Sequence, residues 1–111
     1  MDKLKIVNKA LEDIILEDIM IFDMREKNPF FDFFIISSAK NSRQLAAAAR
    51  DVKHALNEHG FDDPSIEGSD FGWTLVDCGD IVVNIFTKEE REYYNIEKMW
   101  LDVPKLDKDR L

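Results

Sequence analysis

Two apolar runs, residues 73–78 and 81–86, are separated only by Gly79 and Asp80. Both runs are rich in the β-branched and aromatic residues that favour strands. A two-residue loop that contains glycine has the length and composition of a tight hairpin turn. The sequence therefore predicts an antiparallel hairpin, and Thr87 with Glu90 fits a capping box that would open a helical segment directly after it.

Hydrophobic periodicity predicts two helices ahead of this hairpin. Apolar residues recur every three to four positions from residue 3 to about residue 17 and again from 41 to 60, which is typical of amphipathic helices. Asn41 and Gln44 form a capping-box-like start for the second helix. Gly60 supplies the usual glycine stop.

Three further segments are predicted to be strands, and they complete the expected domain. Residues 18–24 and 31–37 are nearly continuous in apolar residues and flank a charged loop that contains Asn-Pro, whereas 65–68 is a short run. The resulting order predicts a single α/β domain over residues 1–104, in which helices flank a mixed β-sheet. Residues 105–111 alternate Lys and Asp, so we expect a flexible tail with too few apolar residues to pack.

The charge and the single cysteine restrict the partners and the compartment. A net charge of −8 argues against direct DNA binding, which depends on clustered Lys and Arg, and favours a basic protein as partner. Cys78 is the only cysteine, so an intramolecular disulfide is impossible and a small core residue is the favoured role. We expect a cytoplasmic protein without a membrane segment, because no apolar run approaches the roughly 20 residues needed to span a bilayer.

Two aspartates suggest an alternative, a metal-dependent nucleotidyltransferase-like enzyme. Asp77 and Asp80 could bind magnesium through carboxylate oxygens, and residues 68–70 supply the Gly-Ser pair that such enzymes place ahead of paired aspartates. In those enzymes this pair opens a helix, whereas here the chain leads directly into a strand. His54 and His59 are five residues apart, which does not place them on one helix face, so solvent-facing roles are favoured.

A protein-docking surface is the interpretation that the sequence favours. Trp73, Leu75 and Asp77 alternate on one face of their strand, and a face that carries a carboxylate is seldom wholly interior. The same pairing of aromatic bulk with negative charge recurs downstream, which suits contact with a basic protein. The residues concerned are Tyr93, Tyr94 and Trp100 among Glu89, Glu90, Glu92 and Glu97.

The order of these residues resembles the ribosomal silencing factor family, also called Iojap-like proteins. The resemblance covers most of the chain and comprises Ser42-Arg43-Gln44, Glu67-Gly68, Trp73, Leu75, Asp77, Gly79-Asp80, Val82-Val83, Glu90-Arg91, Tyr94, Glu97 and Trp100. Asn84 stands where the family usually has histidine, and we expect it to be buried and hydrogen-bonded. Residues 38–41 replace the family's more usual glycine-containing turn.

The resemblance implies a nucleotidyltransferase-like α/β fold without catalytic residues and without a cofactor. It also implies binding to the large ribosomal subunit through its fourteenth protein, ribosomal protein L14, so that association with the small subunit is sterically blocked and translation is repressed. The expected contact residues are Glu67, Trp73, Leu75, Asp77, Glu90, Arg91, Tyr94 and Trp100. Arg91 could instead be a structural partner of Glu67 or Asp77.

A homodimerisation module is a further alternative. It would require Phe30, Phe31, Phe33 and Phe34 to form an exposed apolar patch. Such a patch could equally be part of the core. Homodimers occur in the family that the chain resembles, so a homodimer remains a possible partner state.

Overall fold

The computed structural model describes residues 2–69 and 72–111. Six strands form one mixed sheet in the order β3-β4-β5-β2-β1-β6, in which only β2 and β5 are parallel neighbours. The elements are α1 (Asp2–Asp13), β1 (Glu17–Asp23), β2 (Phe33–Ala39), α2 (Ser42–Glu58), β3 (Ser65–Ser69), β4 (Trp73–Asp77), β5 (Ile81–Thr87), α3 (Lys88–Tyr94), a 3₁₀ helix (Ile96–Trp100), β6 (Lys105–Leu106) and a second 3₁₀ helix (Lys108–Arg110). The expected α/β domain with a helix-flanked mixed sheet is confirmed.

Capping and turn residues set the ends of the two long helices. The Asn41 side chain accepts a hydrogen bond from the Gln44 backbone N–H at 2.8 Å, which satisfies one of the free donors at the start of α2. Gly60, with φ of +79°, follows the end of α2. The α1 helix ends at Asp13, earlier than the pattern predicted, because Ile15 adopts a left-handed conformation with φ of 61° and turns the chain into β1.

The predicted hairpin of β4 and β5 is confirmed. Gly79 adopts a φ of +83°, which glycine tolerates without strain, and the Cys78 N–H donates to the Ile81 carbonyl at 2.9 Å. The predicted capping box at α3 is wrong, since Thr87 is the N-cap residue but makes no side-chain capping bond. The Thr87 and Glu90 side chains lie instead against Gly72, where an added Cβ would come within 2.7 and 2.8 Å of them.

The two faces of the sheet are covered very differently. On the first face α1 and α2 bury the larger core, which includes Leu11, Leu56 and Ile85 at no measurable exposure. On the second face a smaller cluster around Phe22 and Phe86 is covered by the chain that follows α3. We call these the closed face and the open face.

The segment 105–111 does pack, so the expectation that it has too few apolar residues to do so is wrong. Lys105–Leu106 pair with β1 as β6, and Leu106 and Leu111 contact the larger core. The Lys108 ammonium also donates to the Glu12 carboxylate at 2.9 Å. The flexibility of this segment stays a prediction. Within residues 2–69 and 72–111, none of the helices has the length and apolar character needed to cross a bilayer.

Candidate functional site

The β4 side chains on the open face are only partly covered. Trp73 and Leu75 are half-buried and Asp77 is exposed, while the intervening residues point into the closed face and are buried. The strand register places Leu75 between Glu67 on β3 and Asn84 on β5. Glu67 is exposed at the edge of the sheet. The structure thus brings together four of the expected contact residues as one row of apolar and acidic side chains.

Four aromatic rings form a continuous row from the core to the solvent, which we call the aromatic row. Trp73 stacks on buried Phe86 with ring centroids 4.9 Å apart, and the Tyr94 ring lies 4.8 Å from Trp73. Tyr93 meets Tyr94 edge-on at 5.1 Å. Because Tyr94 is 47% exposed, the row presents flat aromatic surface to solvent while its inner end is anchored in the core. Rigid aromatic surface of this kind is typical of binding hot spots.

Asn84 holds the indole of Trp73 from beneath. The Trp73 Nε1–H donates to Asn84 Oδ1 at 3.0 Å, and the Asn84 Nδ2 lies 3.5 Å from the Ile35 carbonyl oxygen. Asn84 is only 1% exposed. The expectation that Asn84 is buried and hydrogen-bonded is confirmed.

Arg91 lies inside the molecule, on the side of α3 that faces β1 and β2. Its Nη1 donates to the Asp18 carbonyl at 2.6 Å and to Ser38 Oγ at 2.8 Å, and its Nη2 pairs with the Glu97 carboxylate at 3.2 Å. The Arg91 side chain is only 10% exposed. The predicted ion pairs with Glu67 or Asp77 are therefore wrong. Arg91 ties α3 and the following 3₁₀ helix to the sheet, because one planar guanidinium can serve several acceptors at once.

Trp100 belongs to the cover of the open face. Its ring meets Phe34 edge-on at 5.5 Å, and its Nε1 is buried without a hydrogen-bond partner among the described residues. Glu90 is half-buried beside Gly72. Of the expected contact residues, Glu67, Trp73, Leu75, Asp77 and Tyr94 offer side-chain surface, and Trp100 is also only partly buried, whereas Arg91 is buried and supports the surface from within.

Two exposed apolar residues beside Trp100 escaped the sequence reasoning. Met99 is 63% exposed and Leu101 is 78% exposed. They flank a residue that packs inward, and three consecutive apolar residues on one helical turn cannot all face the core. The run of three consecutive apolar residues was therefore the sequence signal that some of them would be exposed.

The hairpin aspartates of the enzyme alternative are engaged in local contacts. Asp80 pairs with the Lys3 ammonium at 2.7 Å, and Asp77 Oδ1 accepts from the Gly79 N–H at 2.9 Å. Among the described residues, His, Cys, Asp and Glu form no group of three or more that could hold a metal ion. Asp70, part of the Gly-Ser-Asp motif, lies outside the described residues. Burial raises the pKa of the Cys78 thiol to about 12, which disfavours the reactive thiolate.

The remaining alternatives also have a definite place in the fold. His54 on α2 and His59, the C-cap residue of α2, are both exposed, and α2 covers the closed face. The Phe patch proposed for dimerisation is not exposed as a whole, since Phe33 is buried and Phe31 and Phe34 pack against the smaller core. Phe30 alone of the four is exposed, at 84%.

Comparison with known proteins identifies the family of this chain. The chain matches, over residues 1–111, the family described as "Ribosomal silencing factor during starvation". A relative from Bacillus subtilis, named Ribosomal silencing factor RsfS, is 42% identical over 107 residues, which are 96% of this chain and 91% of that protein.

Two solved structures are similar to this fold. One, from Chromobacterium violaceum, has a TM-score of 0.84 at 36% identity and covers 89% of this chain and 83% of that chain. The other, from Bacillus halodurans, has a TM-score of 0.83 at 33% identity and covers 96% of this chain and 97% of that chain. The protein described here therefore belongs to the ribosomal silencing factor family, whose name denotes regulation of translation and not a catalysed reaction.

Proposed function

We propose that this protein represses translation by binding the large ribosomal subunit through ribosomal protein L14, so that the small subunit is sterically excluded. The observation that carries the proposal is the partly exposed pair of Trp73 on β4 and Tyr94 on α3, whose ring centroids lie 4.8 Å apart. Membership of the silencing family supports a ribosomal partner. We place this activity in the cytoplasm.

The charge around the aromatic row suits a basic protein surface. Glu67 is exposed on β3 opposite Leu75, Asp77 is exposed on β4 two residues after Leu75, and Glu89 and Glu92 are exposed on α3. Negative rims around an apolar centre steer a positively charged partner and set its orientation. The apolar centre supplies most of the affinity, because exposed ion pairs contribute little in water.

Exclusion of the small subunit requires occupancy and no chemical step. If the protein is present at about 100 times its dissociation constant, on the order of one per cent of large subunits remain free to join. The chain therefore needs a rigid surface with a long-lived contact. The aromatic row meets that need, since its rings stack on a core residue and lose little freedom on binding.

Co-sedimentation with separated ribosomal subunits tests the proposal. We expect the protein to pellet with the large subunit alone and to reduce the yield of joined ribosomes. Trp73→Ala should weaken both effects at least about tenfold, as truncation of a central aromatic anchor does. Phe30→Ala is the matched control, because it removes an aromatic side chain that is 84% exposed and lies in a loop distant from β4 in sequence.

Three results would contradict the proposal. The first is that the wild type does not pellet with the large subunit at low salt. The second is pelleting that leaves subunit joining unchanged, which would remove steric exclusion. The third is equal binding by a folded Trp73→Ala variant, which would place the contact elsewhere. Cross-linking of the bound protein to ribosomal protein L14 then tests the named partner, and sedimentation velocity of the free protein tests the possible homodimer.

A further inference from the structure

The polar edge of Trp73 is turned away from solvent. Its indole N–H donates to Asn84 Oδ1 at 3.0 Å, and Asn84 is buried. The ring itself is fixed between Phe86 and Tyr94, whose centroids lie 4.9 and 4.8 Å from it. The accessible part of Trp73 is therefore its carbon rim.

The position of Asn84 in the sheet allows it to accept the hydrogen bond from Trp73. It occupies the middle of β5, and its neighbours across the ladder are Leu75 on β4 and Ile36 on β2. A buried carboxamide in apolar surroundings is costly unless its oxygen accepts a hydrogen bond. The Trp73 indole N–H is the donor that the structure places against the Asn84 Oδ1, while the Asn84 Nδ2 lies 3.5 Å from the Ile35 carbonyl oxygen. The indole orientation that satisfies Asn84 is thus the favoured one.

We propose that Asn84 is a positioning residue that sets the orientation of Trp73 and thereby the chemistry of the docking surface. This inference rests on the proposed function and adds the kind of partner group involved. The partner meets Trp73 through an apolar side chain that packs on the carbon rim, because Phe86 and Tyr94 lie against the ring and the positive partial charge of an aromatic edge does not attract a cation. A partner group that needs a hydrogen bond from the indole N–H is disfavoured, because that N–H is already used.

A double-mutant cycle tests the proposal. Asn84→Leu is nearly isosteric but removes the acceptor, so Trp73 should lose its fixed orientation and large-subunit binding should weaken about three- to tenfold, the value of one hydrogen bond. In Trp73→Phe, which keeps a stacked ring but has no N–H, the same Asn84→Leu change should alter binding less than about twofold. An equal loss in both backgrounds would overturn the proposal, since it would show that Asn84 acts through sheet packing.

A second measurement needs no ribosome. The chain has two tryptophans, so Trp100→Phe leaves Trp73 as the only indole, and its fluorescence reports directly on its surroundings. We expect Asn84→Leu in this background to raise acrylamide quenching and to shift the emission to longer wavelength. Asn84→Val, with a smaller strand-forming side chain, repeats the test if the leucine variant fails to fold. Unchanged quenching in a folded variant would overturn the positioning role.

The two measurements separate the inference from the function on which it rests. Changed quenching with no binding by the wild type would remove the ribosomal function and the docking chemistry built on it, while keeping the Asn84 contact. Binding that depends on Trp73 but is indifferent to Asn84 would keep the function and reject the positioning role.

Discussion

The closed face and the open face of this sheet differ in how completely other elements cover them. On the closed face two helices bury Leu11, Leu56 and Ile85 completely, and each such side chain contributes roughly 1.5–3 kcal/mol by leaving water. On the open face a short 3₁₀ helix and a loop cover only part of the strands, and Trp73 and Leu75 remain half-buried. The difference teaches that the closed face supplies most of the buried core, whereas the open face keeps partly exposed side chains for the recognition that we propose.

The same substitution on the two faces should break the comparison most clearly. Leu11→Ala on the closed face should lower the free energy of unfolding by about 2–5 kcal/mol, through lost burial and the cavity left behind. Leu75→Ala on the open face should lower it by less than Leu11→Ala does, because part of the Leu75 side chain is already in water. Urea unfolding followed by far-UV circular dichroism measures both. Equal losses would show that the open face is part of the stabilising core.

Arg91 connects the cover of the open face to the sheet, so its removal should affect both stability and binding. Arg91→Met leaves the Glu97 carboxylate and Ser38 hydroxyl without their shared donor, which should cost about 2 kcal/mol of unfolding free energy. The loosened α3 should also weaken large-subunit binding. Arg110→Met, at an exposed position near the end of the chain, is the control. A stable Arg91→Met protein with normal binding would show that the cover does not depend on this contact.

Tyr94 tests recognition with little contribution from stability. Tyr94→Ala should weaken large-subunit binding about tenfold, because it removes exposed aromatic surface beside Trp73. The free energy of unfolding should change by less than about 1 kcal/mol, since the ring is nearly half exposed. Isothermal titration with purified large subunits measures the affinity. A loss of stability as large as the loss of affinity would argue that Tyr94 belongs to the core.

The smallest expected effect concerns Asp23, the last residue of β1. Hydrogen bonds from Arg25 lower the pKa of the Asp23 carboxyl below its ordinary 3.8, so its stabilising contribution is complete above pH 3.8 and is lost as pH falls through the lower folded-state value. Asp23→Asn should therefore reduce the loss of melting temperature on acidification below about pH 4. Arg25→Gln should produce the same reduction. Acid profiles that match the wild type would assign the acid sensitivity to other carboxyls.

Much of the fold was predictable because its signals are local. The Gly79-Asp80 turn, the Asn41 cap and the alternation of Trp73, Leu75 and Asp77 each depend on residues within a few positions of one another. The errors arose where a local pattern competed with a contact from a distant segment. Thr87 and Glu90 match a capping box in sequence, yet both turn toward Gly72, and β6 forms only because β1 offers a free edge for Lys105–Leu106.

The candidate site divides in the same way. The sequence alone determined which side chains share a strand face and that this face combines aromatic bulk with negative charge, because a strand alternates its side chains with a period of two. Only the tertiary structure decided that Arg91 turns inward to Ser38 and the Asp18 carbonyl, 53 and 73 positions away, and that the Trp73 N–H is taken by Asn84. Such contacts depend on which strands become neighbours in the sheet, and that is settled by the packing of the whole domain.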